Sequence, residues 1–260
     1  MTIAVLFASL FSKSRVFSWN NSCLRAHAVR AGTHGMSAVP SLVLWAWERP
    51  EDLRFLDPTR AGVAFLAATV RLGPKGMSYR PRMQPLQVAR ETRLVAVVRI
   101  ETAAGAALDH ETTTRVAGEI ARAGRLPEVV AVQVDFDATA SERAFYRELL
   151  VELRLLLPAS MPISITALTS WCIGDRWMTG LPIDEAVPML FRMGVGHAEV
   201  TSWIRSGHDF REAACRTSLG ISLDERWPKL PRGRRLYAFS PSPWTDRSLQ
   251  NLVGELEVWR

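Results

Sequence analysis

Cysteine is scarce in this sequence: Cys23, Cys172 and Cys215 form an odd set of three with no Cys-x-x-Cys pair. That pattern indicates neither a disulfide framework nor a zinc knuckle. The five histidines, His27, His34, His110, His197 and His208, show no His-Glu-x-x-His or comparable spacing, so no metal site is read and no cofactor is expected. No stretch beyond Ser41 reaches the roughly 18 charge-free apolar residues of a spanning helix, which excludes a transmembrane helix from the body. Acidic residues are missing from residues 1–47, which carry Lys13, Arg15, Arg25 and Arg30; taking these four from the net charge of +6 leaves +2 for the rest. A nearly neutral body of interspersed signs, with no recognition motif, lacks the basic stripe that a phosphate backbone requires, so no nucleic-acid partner is expected. The basic residues are nearly all Arg. This suits bidentate contacts, although coding bias produces the same composition.

What is present is apolar residue, 48% of a 260-residue chain, enough to bury the interior of a single domain. Residues 1–40 read as a leader, either a signal or a disordered segment, and residues 41–260 as the folded domain. Ile3–Phe11 is an apolar run of signal-like length, but no positive charge precedes it and Lys13 and Arg15 follow. Export to the periplasm or cell envelope is therefore left open beside a cytoplasmic location.

From Ser41 onward, β-rich runs alternate with helical patterns, the signature of a parallel sheet with crossover helices. The runs fall at Leu42–Trp47, Gly62–Leu72, Leu94–Ile100, Val129–Asp137, Pro162–Leu168, His197–Trp203, Ser218–Leu223 and Leu236–Phe239. Helices are expected at Leu108–Ala123, Ser141–Leu157, Asp184–Arg192, Asp209–Ala214 and Thr245–Leu256, with a short one near Leu53–Phe55 and a Pro-rich extended loop over Pro74–Gln87. Eight strands without a Gly-rich phosphate turn favour an α/β fold closed as a (β/α)₈ TIM-type barrel over an open doubly wound sheet.

The fourth run is the most informative. In Ala131-Val-Gln-Val-Asp-Phe-Asp137 the apolar Val132, Val134 and Phe136 alternate with Gln133, Asp135 and Asp137. A period of two sends the first set under the helices and the second into the barrel. Ionised carboxylates are costly to bury unpaired, so two of them near a strand's C-terminal end open onto water or substrate there, the catalytic face of such barrels. Glu48, Arg71, Arg99, Glu199 and Asp224 are expected at the ends of other strands, and Trp45, Trp171, Trp203 and Trp244 at or beyond strand ends, where a flat indole suits a sugar face. The bland account of the same residues is structural: an inward Asp paired with Arg99, and Trp rings packed under helices.

The stretch Ala131 to Ala138, together with Phe145-Tyr146, Ile165-Thr-Ala-Leu168, Trp171-Cys172 and Asp184-Glu-Ala-Val-Pro-Met-Leu-Phe-Arg-Met-Gly194, resembles the bacterial family of unknown function numbered 3142. The resemblance implies a glycoside-hydrolase-like barrel. More distantly, the strand resembles the fourth strand of family 18 glycosidases, whose Asp-x-Asp-x-Glu ending falls on Gln133, Asp135 and Asp137. By that resemblance Asp137 replaces the acid that protonates the leaving oxygen, one methylene shorter, while Gln133 cannot share a proton as a carboxylate does.

Three functions follow as expectations. The first is glycan hydrolysis, with Asp137 as acid, Asp135 as its charge-tuning partner and Glu199 or Asp224 as second carboxylate; Trp45, Glu48, Arg71, Arg99, Gln133, Trp171, Trp203 and Trp244 would bind substrate. The second is a non-catalytic carbohydrate-binding or envelope-scaffold barrel. The third is sugar-phosphate chemistry through Arg71 and Arg99. In each case the partner is a glycan or another small molecule.

Overall fold

Short runs rich in Val, Ile and Ala, each broken by polar turns, can bury both faces only if one face meets helices and the other meets neighbouring strands around a closed interior. The computed structural model describes residues 35–227 and 231–258. The leader expected over residues 1–40 falls outside the described residues as far as residue 34. The 3₁₀ turn Met36–Ala38 and Val39 follow, and Met36 and Val39 pack into the barrel interior.

The strands are β1 (Leu42–Ala46), β2 (Glu51–Leu53), β3 (Ala61–Gly73), β4 (Gly76–Pro81), β5 (Leu86–Val88), β6 (Leu94–Thr102), β7 (Val129–Asp135), β8 (Ile163–Leu168), β9 (Glu185–Met189), β10 (Ser218–Ser222) and β11 (Arg235–Phe239). The helices are α1 (His110–Ala123), α2 (Arg143–Leu156), α3 (Thr169–Ile173), α4 (His197–Arg205) and α5 (Asp246–Val258). Eight parallel strands run β1-β3-β6-β7-β8-β9-β10-β11, and β11 pairs back onto β1 to close a TIM-type barrel. The antiparallel strand β4 extends β3 outside the ring, and β2 pairs with β5 in a separate two-stranded sheet.

The barrel strands follow the period of two, apart from irregularities at Leu66–Ala68 of β3 and Val129–Ala131 of β7. Val132, Val134 and Phe136 join Ile163, Ile165, Ala96 and Val98 in the layer beneath the helices, against Leu149, Leu150 and Leu153 of α2 and Val116 and Ile120 of α1. Val43, Trp45, Ala64, Val95, Val97, Ala131, Val187 and Tyr237 fill the interior of the ring. Asp109 caps α1, its carboxylate accepting the Thr112 N–H at 2.9 Å. On β10, a Cβ at Gly220 would lie 2.9 Å from Trp45 Cη2, so the missing side chain makes room for the indole.

The sixth barrel strand is Glu185–Met189, within the run expected as a helix, and the run expected as a strand, His197–Trp203, lies in α4. Pro188 accounts for the first exchange, because its ring and missing N–H are incompatible with a helix interior. It sits in a strand that meets β10 through one residue pair, Met189 with Gly220, a seam with few donors to lose. In α4, Val200 and Ile204 stand four residues apart and are both buried, as a helix face requires. Further corrections are local. Glu51–Leu53 is a strand where Leu53–Phe55 was expected as a helix, and Pro74–Gln87 supplies β4 and part of β5 where a loop was expected. Of Asp209–Ala214 only a 3₁₀ turn at Ala213–Arg216 remains. Cys172 and Cys215 form a disulfide with Cα atoms 5.9 Å apart, contrary to the expectation from the odd cysteine count. The fold brings α3 beside the turn before β10, a proximity that the 43-residue separation conceals.

Candidate functional site

The carboxylates of β7 face opposite physical surroundings although only one residue separates them. Asp135 is buried. Its Oδ2 accepts from Arg99 Nη1 at 3.0 Å and its Oδ1 accepts from Thr166 Oγ1 at 2.7 Å. Burial pushes its pKa up and the neighbouring Asp137 adds to the rise, against the opposing pull of Arg99 and Thr166. Asp137 lies just past the end of β7 and is exposed. Arg99 also donates through Nε to Glu101 at 3.1 Å and lies over the Trp47 ring, 5.9 Å from its centroid.

Both carboxylates line a cavity of about 430 Å³ at the C-terminal mouth of the barrel. Trp45, Trp47, Phe191 and Phe239 supply an aromatic wall, and Thr166, Ser170, Arg99 and Arg192 supply polar groups. The wall is internally packed: Phe191 and Phe239 are stacked at 5.9 Å, and Trp47 meets Phe239 edge-on at 6.5 Å. Trp47 is presented by the turn after β1, where Arg82 donates through Nη1 to the carbonyls of Ala46 at 3.2 Å and Trp47 at 2.5 Å.

Beneath the cavity a polar chain crosses the interior. Trp45 Nε1 donates to Gln133 at 2.9 Å, Gln133 Nε2 donates to Ser164 at 3.0 Å, and the Ser164 hydroxyl donates to Glu185 at 3.1 Å. Glu185 also accepts from Tyr237 Oη at 2.8 Å and is ion-paired with Arg235, which donates to the Met36 and Pro40 carbonyls. Burial, reinforced by the Glu185 charge, holds the Tyr237 hydroxyl well above the usual phenol range. Gln133 therefore holds the indole that lines the cavity, and is itself fully buried.

Of the residues singled out in the sequence, Trp45, Arg99, Asp135 and Asp137 meet at this mouth. The others lie elsewhere. Glu48 is ion-paired with Arg80 at 2.6 Å and Arg71 with Glu101 at 2.7 Å. Glu199 projects from α4, which is a helix and not the sixth strand. Asp224 accepts from the Ser222 hydroxyl, a bond that holds its carboxyl below the usual range. Trp171 is buried edge-on to Trp177 at 4.9 Å, and Trp203 stacks on His208 at 4.2 Å on the surface of α4. Trp244 is buried, its Nε1 donating to the Trp45 carbonyl at 3.0 Å, so it anchors β1 from behind. Neither Glu199 nor Asp224 lines the cavity.

Phe191, Arg192 and Phe239 are among the lining residues that the sequence did not single out. The available signal was Pro188: once Glu185–Met189 is a strand, Phe191 and Arg192 fall at its C-terminal end. Among the described residues no group of three or more His, Cys, Asp or Glu side chains is placed to hold a metal ion, and no helix is long and apolar enough to cross a membrane.

No protein family matches the chain, and no curated protein does. Among solved structures it is similar to the spore cortex-lytic enzyme SleL of Bacillus cereus, at 15% identity and a TM-score of 0.44, over 71% of this chain and 52% of that one. The chain thus spans about half the length of SleL.

Proposed function

We propose that the mouth of the barrel binds a glycan and that Asp137 acts there as the general acid of a glycoside hydrolysis. One observation carries this reading: an exposed carboxylate and a buried, clamped one share a cavity whose opposite wall is aromatic. Flat rings shed water against the apolar face of a sugar, and the polar edge of the sugar then meets Asp137, Thr166 and Ser170. Asp137 would give its proton to the glycosidic oxygen as the bond from that oxygen to the anomeric carbon breaks. Asp135, fixed by Arg99 and Thr166, would hold the local charge and geometry while Asp137 exchanges protons.

Two carboxylates on one strand cannot flank a sugar ring from opposite faces, and the cavity wall carries no other carboxylate among the described residues. The chemistry that fits is substrate-assisted: an oxygen of the sugar's own substituent closes on the anomeric carbon, and water then opens that intermediate and returns a proton to Asp137. The same observation favours a second reading, a carbohydrate-binding barrel without turnover.

Binding of wild type and of Asp137→Asn to a broad glycan array, with product analysis on every ligand bound, tests the proposal. Product that falls at least about a hundredfold in the variant supports Asp137 as the acid. Tight binding without product supports the binding barrel, and product unchanged in the variant removes Asp137 from the chemistry.

A further inference from the structure

Two arginines line the mouth, and they are not equivalent. Arg99 lies over Trp47, and its Nε and Nη1 donate to Glu101 and Asp135, so its charge is already paired with a buried carboxylate. Arg192 stacks on Phe239, its Cζ 5.2 Å from the ring centroid, but its nearest carboxylate, Asp224, is 3.8 Å away and both side chains are largely exposed. Among the described residues the Arg192 guanidinium makes no hydrogen bond. With its Cζ over the Phe239 ring and no hydrogen bond among the described residues, the guanidinium keeps its donors, the fork that matches a carboxylate, for another partner.

The backbone shows that this placement is imposed. Arg192 has φ +52°, the left-handed region that a side-chain-bearing residue enters at a cost, and residues held there concentrate at ligand clamps. Glu225 holds it, both carboxylate oxygens accepting the Arg192 N–H at 3.0 and 3.2 Å. An acidic side chain from the loop after β10 thus fixes a strained arginine at the end of β9 and spends its charge on the backbone, leaving the guanidinium to the cavity.

We infer that the sugar bound at this mouth carries a carboxylate, and that Arg192 is the residue that reads it. The inference rests on the glycan reading above. Asp137 and Arg192 line the same cavity, so a sugar acid can place its carboxylate on Arg192 while a neutral part of the molecule meets Asp137. A neutral sugar would leave the Arg192 fork to water.

The test is an array of uronic-acid oligosaccharides, their carboxyl-reduced neutral counterparts and sulfated oligosaccharides, probed with the full chain as wild type, Arg192→Gln and Arg192→Lys. Wild type should bind the uronic acids about tenfold or more tightly than the reduced forms, the effect of one charge-assisted pair. Arg192→Gln should bring that ratio close to one, and Arg192→Lys, which keeps the charge without the fork, should leave an intermediate ratio and serves alone if the Gln variant does not fold. Equal binding of acidic and reduced forms by wild type overturns the inference while sparing the glycan reading. A ratio that survives both substitutions, or a preference for sulfated chains over carboxylated ones, also overturns it. Binding of no member of the array removes the glycan reading and this inference with it.

Discussion

Asp135 and Asp137 show how one strand gives the same functional group two chemistries. A buried carboxyl whose pKa is raised holds its proton more firmly in the folded chain than in the unfolded one. The associated stability is fully present below the unfolded value, taken as 3.8, and is lost as pH rises through the folded value. The stability of wild type relative to Asp135→Asn should therefore decline as pH climbs above that lower bound, because the amide carries no proton equilibrium. Urea unfolding of both proteins at acidic and neutral pH measures the difference; a gap that is flat or widens with pH would contradict the raised value. The inward set Gln133, Asp135 and Asp137 was legible in the sequence because strand parity is a covalent property of the backbone. Arg192 was not, since its importance comes from a left-handed backbone and a partner, Glu225, from another loop.

Elements of five residues are where pattern reading loses its grip. Glu185–Met189 contains barely two pleats, so its alternation of Glu185, Val187 and Met189 against Ala186 and Pro188 competes with any helical template laid over Asp184–Arg192. The adjacent α4 misleads in the opposite sense, because Val200, Thr201 and Trp203 are residue types that favour strands. Longer elements carried their own proof: α2 repeats its buried positions at Tyr146, Leu149, Leu150 and Leu153. The Cys172–Cys215 link ties α3 to the approach to β10 around this ambiguous region. Replacing both cysteines by Ser should destabilise the oxidised protein by about 2–4 kcal/mol, as expected for closing a loop of this length. Denaturant titration with and without a thiol reductant measures it: reductant should weaken wild type and leave the double variant unchanged.

For the whole molecule, the number of barrel strands could be counted correctly even though two neighbouring elements exchanged identity, because closure requires eight crossings and each crossing leaves a short apolar run. The interior was harder to foresee. Glu185 is fully buried, and Arg235, Tyr237 and Ser164 reach it from β11 and β8. Only the closed ring brings those strands within reach of one carboxylate. Glu185→Ala should cost about 3–5 kcal/mol, because it strands the Arg235 charge and two hydroxyls inside the barrel. Thermal or urea unfolding gives the value; a loss below about 1 kcal/mol would mean that the network adds nothing to the fold.

The disulfide has a topological consequence. Residues 172–215 form a covalent ring, and that ring carries β9, Phe191, Arg192, Met193 and Val200, a large share of the cavity wall. A single backbone cleavage within it, at the exposed turns flanking α4, would separate no fragment: the molecule would persist as two chains held by one bond, with both halves of the barrel still linked on either side of the cut.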